Sequence, residues 1–119
     1  MPNPILVVED DPDLRYLYTT ALTQSNYDVI QARNSGEAIN LLQSEDAPAL
    51  IVMDISMPDA PGTKAIDFVR SEERLMNIPI IVITANEHYE ERLTPIVERF
   101  FLKPVAISDI IRAVKELIP

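Results

Sequence analysis

The chain has 119 residues, a length that fits one domain with a real hydrophobic core, and we expect a single domain over residues 1–119. A formal net charge of −9 argues against direct nucleic-acid binding, because the chain would be repelled by phosphate backbones. The sequence has no cysteine, which excludes disulfides, thiol catalysis and thiolate metal sites, and its apolar runs are far too short for a membrane span.

The first half of the chain alternates short apolar runs with amphipathic stretches. Residues 4–8 predict a buried strand, and Asp11 with Pro12 predicts a helix start, because aspartate caps free N–H groups and proline suits the first helical position. Residues 27–30 alternate polar and apolar side chains, as a strand near a sheet edge does. A second helix is predicted from residue 34, where Asn34 and Glu37 have the spacing of a capping box. The apolar stripe of the first helix consists of Leu14, Leu17, Tyr18, Ala21 and Leu22.

The third predicted strand, residues 49–54, is apolar until it ends in Asp54. An ionised side chain is costly inside a strand that is buried on both faces, so we expect Asp54 at the carboxyl tip, where the chain emerges. A third helix is predicted over residues 63–75 and a fourth strand over residues 78–83, ending at Thr84. Residues 86–97 favour a helix that Pro95 should break or kink. Residues 99–102 predict a short fifth strand, and an apolar stripe over residues 107–118 predicts the last helix.

Five strands that alternate with five helices predict an α/β fold. Parallel strands need crossovers of about a dozen residues, which the spacing supplies. Right-handed crossovers then place helices on both faces of the sheet.

Polar side chains follow four of the predicted strands. Glu9 and Asp10 follow the first, Asp54 the third, Thr84 the fourth and Lys103 the fifth. A parallel sheet brings these ends to one edge, where ligands of open α/β sheets bind. Three carboxylates there would raise each other's pKa unless a cation intervenes, and Mg²⁺ suits a site of few carboxylates and waters. Asp54 could then attack phosphorus as an already ionised nucleophile, with Lys103 and Mg²⁺ stabilising the phosphoryl charge.

Other functions fit the same sheet. A flavodoxin-like cofactor binder would need a phosphate cradle after the first strand, where this chain has an acidic loop over residues 9–13. An aspartate-nucleophile phosphohydrolase usually carries a second acid two residues after the nucleophile, where this chain has Ser56. A third alternative is a module that acts without phosphorylation.

The chain resembles the receiver domain of two-component response regulators over essentially its full length. The matching segments are residues 5–11, residues 54–58 with Gly62 downstream, residues 83–85, and Lys103-Pro104. The resemblance implies a doubly wound, five-stranded parallel sheet of order 2-1-3-4-5 with five helices, as in flavodoxin-like and CheY-like folds. It also implies a cis peptide bond before Pro104.

The same resemblance implies the roles of the site residues. Asp54 matches the phosphoacceptor, and Lys103 matches the residue that bridges this acid and the phosphoryl group. The implied Mg²⁺ ligands are Glu9, Asp10, Asp54 and the backbone carbonyl of Ser56.

Further residues match positions that govern switching. Thr84 and Phe100 match the switch pair, whose hydroxyl moves toward the phosphoryl group while the ring turns inward. Ser56 and Asn86 match positions that tune the lifetime of the phosphorylated state.

The implied function is a phosphorylation-activated switch that alters partner binding through the face formed by the predicted fourth helix, fifth strand and fifth helix. The phosphoryl donor would be a histidine kinase or a histidine phosphotransfer protein, and the output an unidentified protein partner. Such a chain is no enzyme toward other substrates and catalyses only its own phosphorylation and dephosphorylation. We expect a cytoplasmic protein that contacts neither membrane nor nucleic acid.

Overall fold

A computed structural model describes residues 3–44, 46–55 and 62–119. Five parallel strands form one sheet in the order β2-β1-β3-β4-β5, which confirms the predicted architecture. The strands are β1 (Ile5–Val8), β2 (Val29–Ala32), β3 (Leu50–Ile55), β4 (Ile80–Thr84) and β5 (Arg99–Leu102). The helices are α1 (Pro12–Gln24), α2 (Ser35–Ser44), α3 (Gly62–Ser71), α4 (Tyr89–Leu93) and α5 (Ile107–Leu117). None of the helices in the described ranges is long and apolar enough to cross a bilayer.

The sheet separates two hydrophobic cores. On one face, α1 and α5 cover strand residues such as Val7, Val52 and Ile83. On the other, α2, α3 and α4 cover residues such as Met53 and Val82. Since both faces are covered, β1, β3 and β4 are buried along their whole length, which explains why they are continuous apolar runs in the sequence.

Several predicted boundaries were wrong, among them the start of β4, which is Ile80 and not residue 78, and the start of α4, which is Tyr89 and not residue 86. The second strand begins at Val29 rather than at residue 27, because Asn26 and Tyr27 form the C-terminal cap of α1. The N–H of Tyr27 donates to the carbonyl of Leu22 and that of Asn26 to the carbonyl of Thr23, the paired hydrogen bonds of a Schellman motif. Asn26 has φ 73°, the left-handed conformation that such a helix end requires.

The third helix ends at Ser71, not at residue 75. A turn follows, in which the N–H groups of Leu75 and Met76 both donate to the carbonyl of Glu72. This turn buries Leu75, which had been predicted as the last residue of the helix. The predicted effect of Pro95 is confirmed, because α4 stops at Leu93 and gives way to a short 3-10 helix at Thr94–Ile96.

The side chain of Arg70 connects the end of α3 to the segments that precede β4 and β5. Its Nη1 donates to the carbonyls of Met76 and Ile78 at 2.9 and 2.8 Å. Its Nε donates to the carbonyl of Ile96 at 2.8 Å, and its Nη2 contacts Glu98 Oε1 at 2.9 Å. One guanidinium thus satisfies three carbonyls, two in the turn before β4 and one at the end of the 3-10 helix.

We expect Arg70→Met to lower the free energy of unfolding by about 2–4 kcal/mol, because the three carbonyls lose this donor and Glu98 Oε1 keeps only the N–H of Ile80. Urea unfolding monitored by circular dichroism measures the change. The matched control is Arg92→Met, which removes an exposed ion pair to Asp67 at 3.2 Å and should cost less than about 1 kcal/mol. Equal losses in the two variants would contradict the role given to Arg70.

Candidate functional site

The register of the sheet places the predicted polar strand ends side by side. Val8, the last residue of β1, pairs with Met53, so Glu9 lies beside Asp54. Asp54 pairs with Ile83, and Thr84 with Leu102, which is followed by Lys103. The carboxyl edge therefore gathers these groups at one site, as the sequence predicted.

Asp54 lies at the centre of the site, and its Oδ2 atom accepts two hydrogen bonds. Lys103 Nζ lies 2.9 Å from this oxygen, and the hydroxyl of Tyr18 donates to it at 3.0 Å. The Asp54 side chain is 0% exposed, whereas that of Lys103 is 28% exposed. Asp54 lies at the carboxyl end of β3, one residue before its last residue Ile55, but the sequence did not predict that the carboxylate is covered.

Glu9 provides a second buried carboxyl group, held by the start of α1. Its Oε2 accepts the N–H of Asp11 at 2.9 Å, and its backbone carbonyl accepts Arg15 Nη1 at 2.8 Å. Burial raises the pKa of Glu9 to about 9, with further contributions from the neighbouring Asp54 and Asp10 carboxyl groups. The site therefore holds more negative charge than Lys103 neutralises, and without another cation Glu9 retains its proton at neutral pH.

Two carboxylate oxygens of this site suit a metal ion. Glu9 Oε1 and Asp54 Oδ1 are both buried, and neither has a hydrogen-bond partner among the described residues. Such orphaned oxygens are unfavourable unless a cation or a proton satisfies them. Within ranges 3–44, 46–55 and 62–119, no three acidic or histidine side chains are gathered closely enough to enclose a metal by themselves. Mg²⁺ needs no such cage, because one or two carboxylates with waters and phosphate oxygens suffice, so the donors present fit this ion.

Thr84 and Phe100 lie on the same face of the sheet, on the side of α3 and α4. Phe100 pairs with Val82, two residues before Thr84, and packs at the border of that core while half-buried. Thr84 is buried, and its Oγ1 accepts the N–H of Asn86 at 3.1 Å. That bond occupies a lone pair and not the hydroxyl proton, which is available for donation. The side chain of Asn86 in turn accepts the N–H of His88, so the loop after β4 is held close to the site.

Lys103 is fixed by its backbone as well as by its charge. Its N–H donates to the carbonyl of Thr84 at 2.8 Å, and the Lys103–Pro104 peptide bond is cis, as the resemblance implied. Ser56, predicted to supply a metal-binding carbonyl and to tune lifetime, lies outside the described residues.

Sequence reasoning missed the contact of Tyr18. The residue was assigned only to the apolar stripe of α1, and it does pack there beside Leu22. A signal was present, because Tyr18 is the one stripe position with a polar end, on a helix that starts from the acidic loop. The spacing of apolar residues predicts which face of a helix is buried. It does not predict which group the polar end of a long side chain contacts.

Comparisons with known proteins found one matching family model, related sequences and similar structures. The family model of the response regulator receiver domain matches residues 5–115. The chain is 31% identical over 118 residues to the polar-differentiation response regulator DivK of Brucella anthropi, an alignment that covers 97% of this chain and 95% of that protein. It is also similar to the response regulator TrrA of Thermotoga maritima, solved in complex with Mg²⁺-BeF, with 28% identity, a TM-score of 0.84 and coverage of 98% and 99% of the two chains. Chemotaxis response regulator CheY4 of Vibrio cholerae, at 19% identity and a TM-score of 0.86 over 99% of this chain and 100% of that chain, supports the fold alone.

Proposed function

Because the chain belongs to the response regulator receiver domain family of two-component signalling, we propose that it is a switch operated by phosphorylation of Asp54. The observation that carries the proposal is the pairing of this carboxylate with Lys103 on one oxygen, while its other oxygen is orphaned next to Glu9. This arrangement provides a nucleophile, a cation and a place for a divalent ion at one sheet edge.

The proposed reaction uses Asp54 as the nucleophile. A carboxylate oxygen forms a bond to phosphorus while the bond between phosphorus and the donor breaks, and the electron pair leaves with the donor. The nucleophile needs no general base, because it reacts in its ionised form. Lys103 has a partly exposed side chain, so it can follow the phosphoryl oxygens as they arrive and open access to the covered carboxylate.

Glu9, Asp10 and Asp54 would hold Mg²⁺, together with the carbonyl of Ser56. When bound, this ion neutralises the carboxylates and the charge on the phosphoryl oxygens. Glu9 would then lose the proton that it retains in the absence of metal. The complex of TrrA with Mg²⁺-BeF is consistent with such a site.

The proposed output begins with the hydroxyl of Thr84, which has a proton to donate to a phosphoryl oxygen. Movement of Thr84 toward the site would leave space on the face where Phe100 borders the core. The ring of Phe100 would turn inward and alter the α4-β5-α5 face, which a downstream protein partner reads. Asn86, hydrogen-bonded to Thr84, would tune the lifetime of the state together with Ser56.

The chain acts as one domain over residues 1–119 in the cytoplasm and receives its phosphoryl group from a histidine kinase or a histidine phosphotransfer protein. It catalyses only its own phosphorylation and dephosphorylation. The alternative is a receiver fold that switches partners without phosphorylation.

Incubation with Mg²⁺ and acetyl phosphate tests the proposal. We expect intact mass spectrometry to show the gain of one phosphoryl group, and the gain to be lost when EDTA replaces Mg²⁺. Nuclear magnetic resonance of the same samples should show shifts of Thr84 and Phe100. Absence of any mass gain from both acetyl phosphate and a phosphorylated histidine phosphotransfer protein would favour the phosphate-independent alternative.

A further inference from the structure

Tyr18 contacts the acceptor carboxylate from a helix to which no role in the chemistry was assigned. The residue lies in the second turn of α1 and is 5% exposed. Its ring packs in the core shared by α1 and α5, and its hydroxyl donates to Asp54 Oδ2 at 3.0 Å. Burial and the charge of Asp54 both raise the pKa of Tyr18 above its ordinary value, so the phenol remains protonated and remains a donor.

The two carboxylate oxygens of Asp54 differ in their hydrogen bonds. Oδ2 accepts from both Tyr18 and Lys103, whereas Oδ1 has no partner among the described residues. A carboxylate oxygen has about two lone-pair sites, so two donors saturate Oδ2. Lys103 is partly exposed and can turn toward an incoming phosphoryl group, but the buried ring of Tyr18 keeps its hydroxyl directed at the carboxylate.

We propose that the Tyr18 hydroxyl stabilises the unphosphorylated Asp54 carboxylate and so lowers the fraction of protein that is phosphorylated at a given donor concentration. The inference rests on the proposed function and adds to it a residue that regulates the same site.

The reason is the change in charge on the acceptor. When Asp54 attacks phosphorus, the carboxylate becomes an acyl phosphate and its negative charge passes to the phosphoryl oxygens, while the donor leaves with the electron pair of the broken bond. In hydrolysis, water attacks phosphorus, the bond from Asp54 to phosphorus breaks, and its electron pair restores the carboxylate. The proton of the water leaves with inorganic phosphate or passes to solvent.

A hydrogen bond to an ionised group is about twice as strong as one to a neutral group. The bond from Tyr18 is therefore stronger before phosphorylation than after it, whichever oxygen carries phosphorus. On the way to the transition state of phosphorylation, part of the stabilisation by this hydrogen bond is lost. On the way to the transition state of hydrolysis, part of that stabilisation is regained. The hydroxyl thus slows the first reaction and speeds the second.

Tyr18→Phe tests the inference, because it keeps the buried ring and removes only the donor. We measure the phosphorylation rate with acetyl phosphate and Mg²⁺, and the dephosphorylation rate after removal of the donor, both by intact mass. The ratio of the two rate constants should rise about fivefold relative to wild type. The matched control is Tyr16→Phe, which removes a hydroxyl that is on the same helix but belongs to a residue 72% exposed, and should leave the ratio unchanged.

Each outcome is decisive. A ratio in Tyr18→Phe that equals or falls below wild type, in a variant with a normal melting temperature, overturns the inference while the proposed function stands. A wild type that accepts no phosphoryl group overturns the proposed function and this inference with it. A purely structural role of Tyr18 would change the melting temperature and leave the ratio of rate constants unchanged.

A second measurement uses no covalent chemistry and remains informative if Tyr18→Phe is unstable. The wild-type protein labelled with 3-fluorotyrosine has four reporters, because the chain has 4 tyrosines. Addition of Mg²⁺ with beryllofluoride should shift the ¹⁹F resonance of Tyr18 more than that of Tyr16, since only the first hydroxyl contacts the acceptor. Equal shifts of the two resonances, or none for Tyr18, would overturn the inference.

Discussion

Asp54→Asn is expected to eliminate the gain of one phosphoryl group in acetyl phosphate and Mg²⁺. The substitution preserves the size of the side chain, and the amide oxygen can still accept from Tyr18 and Lys103, which contact Oδ2 in the wild type. An amide is not an ionised nucleophile, so the attack on phosphorus is lost while the fold remains. Intact mass spectrometry measures the occupancy, and circular dichroism verifies that the sheet is intact.

The matched control is Asp28→Asn, the same change at an exposed position before β2, which should accept a full phosphoryl group. The test also separates Asp54 from its acidic neighbours. Glu9 and Asp10 are carboxylates of the same site, and a phosphoryl gain that persists in Asp54→Asn would place the acceptor on one of them. The assignment of Asp54 would then be wrong although phosphorylation occurs.

The sequence predicted the fold well where strands are buried on both faces. β1 is an apolar run, and β3 and β4 are apolar up to Asp54 and Thr84, because helices cover both sides of the sheet. The boundaries failed where hydrogen bonds outweigh periodicity. Tyr27 alternates correctly with its neighbours, but its N–H is used in the cap at the end of α1. Leu75 is apolar and was predicted as the end of α3, but it is buried by a turn that follows the helix.

The candidate site was predictable as a set because a parallel sheet brings all its carboxyl ends to one edge. The positions of Asp54, Thr84 and Lys103 follow from register alone. What did not follow is the depth of Asp54 and its contact with Tyr18. Both depend on how closely α1 packs against β3, and one-dimensional patterns carry no information about that distance. The covered carboxylate matters for function, since its reactivity then depends on the donors that cover it.

Glu9→Gln is expected to make the protein more stable than wild type at neutral and alkaline pH in EDTA, and to remove most of the pH dependence of stability that this site causes. The folded protein holds the pKa of Glu9 near 9 by burial and by the neighbouring Asp54 and Asp10 carboxyl groups, against 4.5 as the ordinary value. Between these values the folded state binds a proton that the unfolded state has released. The contribution of Glu9 to stability is therefore fully present below about pH 4.5 and is lost as the pH rises toward 9.

A glutamine cannot titrate, so the variant lacks this loss. The free energy of unfolding of wild type should fall relative to Glu9→Gln by up to roughly 3 kcal/mol between about pH 5.5 and 7.5, as measured by urea unfolding at each pH. Glu91→Gln, at an exposed position of α4, is the control and should follow wild type at every pH. Mg²⁺ should stabilise wild type most at high pH, where Glu9 gives up its proton most easily, and should stabilise Glu9→Gln less. Parallel pH profiles of wild type and Glu9→Gln in EDTA would mean that Glu9 is already ionised in the folded protein and that Lys103 alone compensates the charge of the site.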